Sequence, residues 1–213
     1  MASKILVDEL SPQSHATDVT ISTGKKIAGA NTQYKVTGGT SGQVLTNDGS
    51  DGLSWGAAGN TIKVACLVDE KTANTDGGTF TQDAWQQRDL QTEYYDTIGI
   101  TFGTNTFILP AGTFYIHWSA PGFAVRSHQT RLYNVTSAAV VKAGSSETSV
   151  LSTAYSQTRS VGSATVTLSA AATTFKLEHR CSYTFATEGF GRKCNMDGTT
   201  PEVYTIINIM QIA

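Results

Sequence analysis

The chain has 213 residues and a mass of 22.6 kDa, room for one sizeable domain and a tail rather than two ordinary domains. Only 15% of residues are charged, and 15 Lys and Arg against 17 Asp and Glu give a net charge of -2, which excludes a general basic nucleic-acid binder. A hydrophobic fraction of 39% excludes a disordered acidic chain, and 32 threonines beside many Ser, Val and Ile favour half-exposed strands, so the composition points to an all-β fold.

Near the N-terminus, Ile5-Leu6-Val7 runs directly into Asp8-Glu9. That run is too short for a signal-peptide core, and no later segment approaches the ~20 apolar residues of a membrane span, so neither classical secretion nor membrane insertion is expected. Residues 1–59 hold nine of the 20 glycines, with short apolar islands at Ile5-Leu6-Val7, Val19 and Ile21, Val44-Leu45, and Leu53 and Trp55. Glycine at this density raises the entropy cost of ordering, and islands so sparse cannot bury one another within one chain. The expectation is a flexible linker or an extended segment ordered by partners, up to about 190 Å long when fully stretched.

From Asn60 the pattern changes to alternation. Ile62, Val64, Cys66 and Val68 fall on one face of a strand, with Thr61, Lys63, Ala65 and Leu67 on the other. Phe107-Ile108-Leu109, the turn Pro110-Ala111-Gly112, and Thr113 to Trp118 read as strand, tight turn and strand. Further strands are expected at Gln129 to Val135, Ala138 to Lys142, Thr158 to Leu168 and Thr174 to Tyr183. The last, Glu202 to Ile212, is apolar on both faces: Val203, Ile207 and Ile209 against Tyr204, Ile206, Met210 and Ile212. Such a strand serves a core on one side and a partner subunit on the other. No stretch has helical periodicity, and short strands at regular spacing indicate a sandwich or jelly roll, with the chain dividing into residues 1–59 and 60–213.

The stretch from Phe107 through Pro110-Ala111-Gly112 to Ile116 resembles the signature of the complement globular-head and tumour-necrosis-factor-like jelly rolls. Ser119-Ala120-Pro121-Gly122-Phe123 and Arg131-Leu132-Tyr133-Asn134-Val135 resemble C-terminal domains of bacteriophage tail fibres and other virion proteins. The glycine-rich run at residues 38–57 is similar to segments that precede the distal domain of phage fibres, and residues 3–10 are similar to the starts of such proteins. The resemblance implies a homotrimer in a virion, made in a bacterial cytoplasm, with no enzymatic activity and no cofactor in the domain itself. Ile5, Leu6, Val7 and Leu10 are the expected docking points on other virion proteins, a tail hub or adaptor or the capsid. Independently, the two-faced last strand needs a cover, and threefold association would let three copies of the sparse tail pack together.

Strands that alternate in direction give the domain a polarity. The short connections at Pro110 to Gly112, Thr136-Ser137 and Ser169 to Ala172 belong at the base, where the chain enters. The longer ones, Ser119 to His128, Gly144 to Gln157 and Thr184 to Pro201, belong at the far end, where recognition usually resides. Candidate receptor-binding residues there are Phe123, Arg126, His128, Ser145, Ser146, Phe185, Phe190, Arg192, Lys193, Asn195 and Asp197. Aromatic rings with Asn, Asp and Arg can stack on sugar faces and bond the hydroxyls of a host surface glycan. The alternative is that Phe185 and Phe190 anchor the loop while the polar groups are merely solvated.

Catalysis and metal binding find little footing. His117 and Ser119, and His179 and Cys181, share strand faces at i, i+2, but a nucleophile also needs an orienting group and an oxyanion site. The acids are scattered along the sequence, which does not show whether any two pair across a sugar groove as in a glycosidase, and no twelve-residue calcium loop is present. Cys66, Cys181 and Cys194 have neither disulfide-framework nor zinc spacing, and read as small hydrophobes. The expected function is a trimeric tail fibre whose jelly roll binds the host surface. The alternative is a capsid decoration or head-fibre protein, separated from the first by copy number on the particle.

Overall fold

The computed structural model describes residues 40–41, 43–47, 53–57, 62–150, 155–169 and 172–212. The expected docking residues Ile5, Leu6, Val7 and Leu10 lie outside the described residues. Two units divide the chain, Met1–Asn60 and Thr61–Ala213.

In the first unit, β1 (Gln43–Asn47) and β2 (Leu53–Ala57) pair antiparallel, with Leu45 opposite Trp55 and Val44 opposite Gly56. The expectation for residues 1–59 is a flexible linker or an extended segment ordered by partners; within it the described strands pair with each other in one chain. The physical reason is local. Two short runs with β propensity flank Asn47-Asp48-Gly49-Ser50-Asp51-Gly52, a composition suited to reversing the chain.

The second unit is the expected all-β sandwich, and its connectivity is that of a jelly roll. The strands are β3 (Lys63–Lys71), β4 (Gln86–Gln87), β5 (Thr92–Asp96), β6 (Thr101–Gly103), β7 (Thr106–Leu109), β8 (Gly112–Phe123), β9 (Arg126–Asn134), β10 (Ala139–Ser149), β11 (Gln157–Leu168), β12 (Thr173–Cys181) and β13 (Glu202–Gln211). One sheet has the order β10-β9-β12-β7-β6, with β4 also paired to β12; the other runs β11-β8-β13-β3-β5. From β7 to β13 consecutive strands change sheets, except for the β9–β10 hairpin, so hydrogen-bonded neighbours are mostly distant in sequence.

Alternation decides what fills the sandwich. Phe114, Ile116, Trp118 and Ala120 of β8 point inward and meet Ile207 and Ile209 of β13, Ala65 and Leu67 of β3, and Phe107, Leu132, Phe175 and Leu177 from the facing sheet. Phe107 stacks on Phe175 with centroids 5.6 Å apart. The Trp118 indole N–H donates to Thr130 Oγ1 at 2.8 Å, so the largest buried ring leaves no orphan donor. Opposite Trp118 in β11 stands Gly162, where a Cβ would overlap the indole six-membered ring. Here the absent side chain is what gives the ring its room.

The register fixes the polarity. Lys63 faces Gln211, Gln211 faces Phe114, and Gly112 faces Leu168, so chain entry, chain exit and the β7–β8 turn share the base as expected. One loop expectation is corrected. Ser119 to Phe123 continue β8 and Arg126 to His128 begin β9, leaving a turn of only Ala124 and Val125, both fully buried. Pro121 lies beyond Ser119, the last β8 residue paired with β13, and a proline is tolerated where one side of a strand has no ladder. Likewise Ser145 and Ser146 belong to β10, at a bulge, rather than to a loop.

Candidate functional site

The far end is held by a second, smaller core. Phe80, Val125 and Cys181 are buried together, with Phe185 and Phe190 packed against them. Phe80 exchanges backbone hydrogen bonds with Phe185, each 3.0 Å, and its ring stacks on Phe190 at 4.3 Å. Through them the segments around residues 80 and 190 are tied to each other. Phe185 and Phe190 thus occupy anchoring positions.

Beneath this cluster lies Arg88, fully buried. Its guanidinium donates to Thr205 Oγ1 (2.9 Å), the Pro121 carbonyl (3.3 Å) and the Phe190 carbonyl (2.9 Å), and lies 4.2 Å from the Phe190 ring centre. Burial pulls its pKa down to about 10, opposed by the charges of Asp69 and Asp89. It remains a cation at neutral pH. Asp69 is buried as well, and desolvation raises its pKa against the pull of Arg88 and Lys71. Lys71 Nζ stands 3.1 Å from Asp69 Oδ1, an ion pair without hydrogen-bond alignment. Removing one member of such a buried charge network leaves the others uncompensated, which costs more than the intact network contributes to stability.

His128 and His179 form a second polar element of the interior. His128 Nδ1 is 2.9 Å from His179 Nε2, and His128 Nε2 is 2.8 Å from Thr158 Oγ1. His179 Nδ1 has no partner among the described residues. A buried unpaired N–H costs more than an unpaired lone pair, so Nδ1 carries the lone pair. That assigns the chain: His179 Nε2–H donates to His128 Nδ1, and His128 Nε2–H donates to Thr158. Burial lowers both pKa values, that of His128 to about 4, with Glu147 acting upward and Arg88 downward; for His179, Arg88 and His128 add to the burial effect. Both rings are neutral at pH 7.

Of the other expected recognition residues, Phe123 is buried at 4% exposure, as His128 is at 3%. Both side chains are packed into the interior rather than spread on the loop surface. Arg126 is exposed, with its guanidinium 5.2 Å from the Tyr183 ring centre. Ser145 Oγ accepts from the Val161 N–H, and Ser146 Oγ accepts from Gln129 Nε2. Arg192 is exposed over Phe123 at 5.3 Å, while Lys193 pairs with Asp76 at 3.5 Å. Asn195 and Cys194 donate their backbone N–H groups to the Glu202 carboxylate. Asp197 is exposed at the loop tip, and hydrogen bonds from the hydroxyl and N–H groups of Thr200 and Thr199 hold its carboxyl well below the usual range.

Two surfaces are built around this frame. On the outer side of the first sheet, near the far end, a groove of about 470 Å³ runs among β9, β10, the end of β12 and the segment at Asp83 and Trp85. Its lining includes His128 and Ser146 together with Gln129, Glu147, Thr148 and Arg180, which the sequence reading did not single out. The outer side of the second sheet is a different surface, read off the strand register as three rows. Thr165, Tyr115, Met210 and Val64 form the first; Ser163, His117, Asn208, Cys66 and Tyr95 the second; Val161, Ser119, Ile206, Val68 and Thr92 the third. Tyr115, Val161 and Tyr95 are exposed at 37%, 40% and 49%, and a hollow of about 210 Å³ lies between Val64, Tyr95, Tyr115, His117 and Met210.

The last strand therefore divides its two-sided apolar set. Ile207 and Ile209 are core, while Ile206 and Met210 are half-exposed and Ile212 is exposed on the open side. Tyr204 departs from simple alternation. A bulge between Val203 and Ile206 buries it, with its hydroxyl donating to the Thr75 carbonyl at 2.7 Å, and Val203 is half-buried beside Cys194 and Met196. No group of three or more potential metal ligands occurs among the described residues.

No protein-family model matches the chain, and no curated protein matches it. Among solved structures it is similar to the globular domain of the zebrafish complement 1qA protein, at 15% identity and a TM-score of 0.44, covering 72% of this chain and 98% of that one. It is also similar to murine APRIL at pH 5.0, at 8% identity and a TM-score of 0.45, covering 71% of this chain and 100% of that one. A second murine APRIL structure, at pH 8.0, gives 8% identity and a TM-score of 0.43 over 71% and 100%.

Proposed function

We propose that the chain is a trimeric virion fibre protein of a bacteriophage, whose jelly roll attaches the particle to its host. The observation that carries the reading is the outer face of the second sheet. Tyr115, Tyr95, Val161, Ile206 and Met210 leave apolar area open on either side and at the end of a row of Ser163, His117 and Asn208, beside a filled core. A monomer gains nothing from such a surface, and association with identical copies removes it from water at about 25 cal/mol per Å² of apolar area. The self-associating face lies on one sheet, and the recognition groove lies on the other. A trimer closed through the first leaves three grooves facing outward.

The virion reading is supported by the resemblance of residues 38–57 and 107–135 to phage fibre segments, and by the polarity. The chain enters and leaves the jelly roll at the base, so the far end is free to meet a surface. The N-terminal residues dock on the particle in this reading. Purified full-length trimer, added to susceptible cells before the phage, is expected to reduce adsorption in proportion to the sites it occupies. A folded trimer that leaves adsorption unchanged at saturating concentration counts against the attachment role.

A further inference from the structure

The groove on the first sheet combines three features that belong together chemically. The first is an aromatic floor. Trp85 is half-buried with the Arg131 guanidinium 4.0 Å from its ring centre, and Arg131 is in turn fixed by Glu178 at 2.6 Å. The guanidinium thus packs against the indole, and Trp85 also lines the groove. The second is unused hydrogen-bonding capacity. The indole N–H of Trp85, the hydroxyl of Thr148 and the amide oxygen of Gln129 have no hydrogen bond to any other described residue. The Gln129 amide nitrogen is meanwhile fixed by Gly144 O and Ser146 Oγ. Asp83 and Arg180 meet only each other, at 3.8 Å. The third is the charge balance: Asp83 stands against Arg180, while Glu147, opposite the buried His128 in register, lies on the other face of β10.

We infer that this groove is a binding site for an uncharged saccharide of about two sugar units, with one ring stacked on Trp85 and its hydroxyls bonded by Asp83, Gln129 and Thr148. A sugar ring offers an apolar face of C–H groups and a rim of hydroxyls that both donate and accept. An aromatic face ringed by carboxylate and amide oxygens matches both. The volume of about 470 Å³ lies within the range of small-ligand clefts. Anionic sugars such as sialosides and uronates are disfavoured, because Arg180, the guanidinium in the lining, is already met by Asp83 and does not compensate their charge as their own hydration is lost. The inference rests on the attachment reading for the source of the sugar, a host surface, while the groove chemistry is measured without it.

The intact chain is titrated with lactose, maltose and N,N′-diacetylchitobiose as neutral probes, and with sialyllactose and digalacturonate as anionic ones. Tryptophan emission and calorimetry read the binding. Saturable binding of at least one neutral disaccharide is expected, with the anionic probes weaker by about tenfold or more. Trp85→Ala and Asp83→Ala should each weaken binding by at least about tenfold while the circular dichroism is unchanged. The inference is overturned if no neutral disaccharide binds, if the anionic probes bind as well, or if an acidic or basic peptide occupies the groove in their place. Binding that survives Trp85→Ala overturns it too. A trimer that blocks phage adsorption yet binds none of the sugars sinks this inference and leaves the attachment role standing. A trimer that binds a neutral sugar at Trp85 yet does not block adsorption does the reverse.

Discussion

Acidification should loosen the far end of the jelly roll through the His128–His179 pair. In the unfolded chain a histidine titrates near 6.5, whereas burial holds His128 at about 4 in the fold. The sign follows from which state binds more protons. Between those two values the unfolded chain takes up a proton that the folded chain refuses, so stability is complete above pH 6.5 and falls as pH drops toward 4. At pH 5 the unfolded imidazole is almost wholly protonated and the folded one about a tenth so, which costs about 2 kcal/mol for His128 alone. His179, lowered by burial, Arg88 and His128, adds in the same direction. Asp69 opposes them, because its raised pKa makes the buried carboxyl easier to hold once protonated. The assay is denaturant unfolding of the full chain at pH 7.5 and pH 5, compared with the double variant His128→Gln and His179→Phe. Those replacements keep a partner for Thr158 and a ring against Phe80. The wild type should lose about 2 kcal/mol or more over that interval, and the variant should be nearly flat whatever its starting stability. Equal pH slopes in the two proteins would refute the reasoning.

Gly162→Ala should lower stability by about 1–3 kcal/mol, seen as a lower denaturation midpoint at unchanged slope, because its methyl group meets the Trp118 ring in a close-packed core. A loss under about 0.5 kcal/mol would mean the ring can move aside. On the open face of the second sheet, Tyr115→Arg should shift the oligomer to smaller species without changing the circular dichroism, since the residue contributes nothing to the core. A thiol reagent near pH 7.5 should titrate Cys194 quickly and the other two only on unfolding. Cys66 and Cys181 are buried, with the Cys181 thiol pushed up to about 11. Rapid labelling of all three in the native protein would contradict the burial.

The eight main jelly-roll strands were legible because each alternates or carries a dense apolar run. Phe114, Ile116 and Trp118 at every second position and the two-sided β13 are plain in the sequence. What escaped notice is set by contacts rather than pattern. Thr92–Asp96 is a polar, mostly exposed edge strand, which without its partner β3 reads as a loop. Residues 119–128 read as a loop because Pro121 and Gly122 signal turns. Their strand character depends on β11, which runs past the point where β13 stops. His179 was weighed against Cys181 on its own strand. Its partner is His128 on the neighbouring strand, two register positions from Thr130, and cross-strand neighbours are fixed only by pairing. Trp85 is a lone aromatic among Asp and Gln, with no periodicity to mark it, and its position over Arg131 emerges only when β9 lies beneath the 81–87 segment.

The central claim is that identical copies cover the outer face of β8, β13 and β3. Sedimentation equilibrium of the full-length chain at micromolar concentration measures this directly. A single species of three times the 22.6 kDa chain mass is the predicted result. A cooperatively folded species of one chain mass, with Tyr115 and Met210 open to solvent, would contradict it.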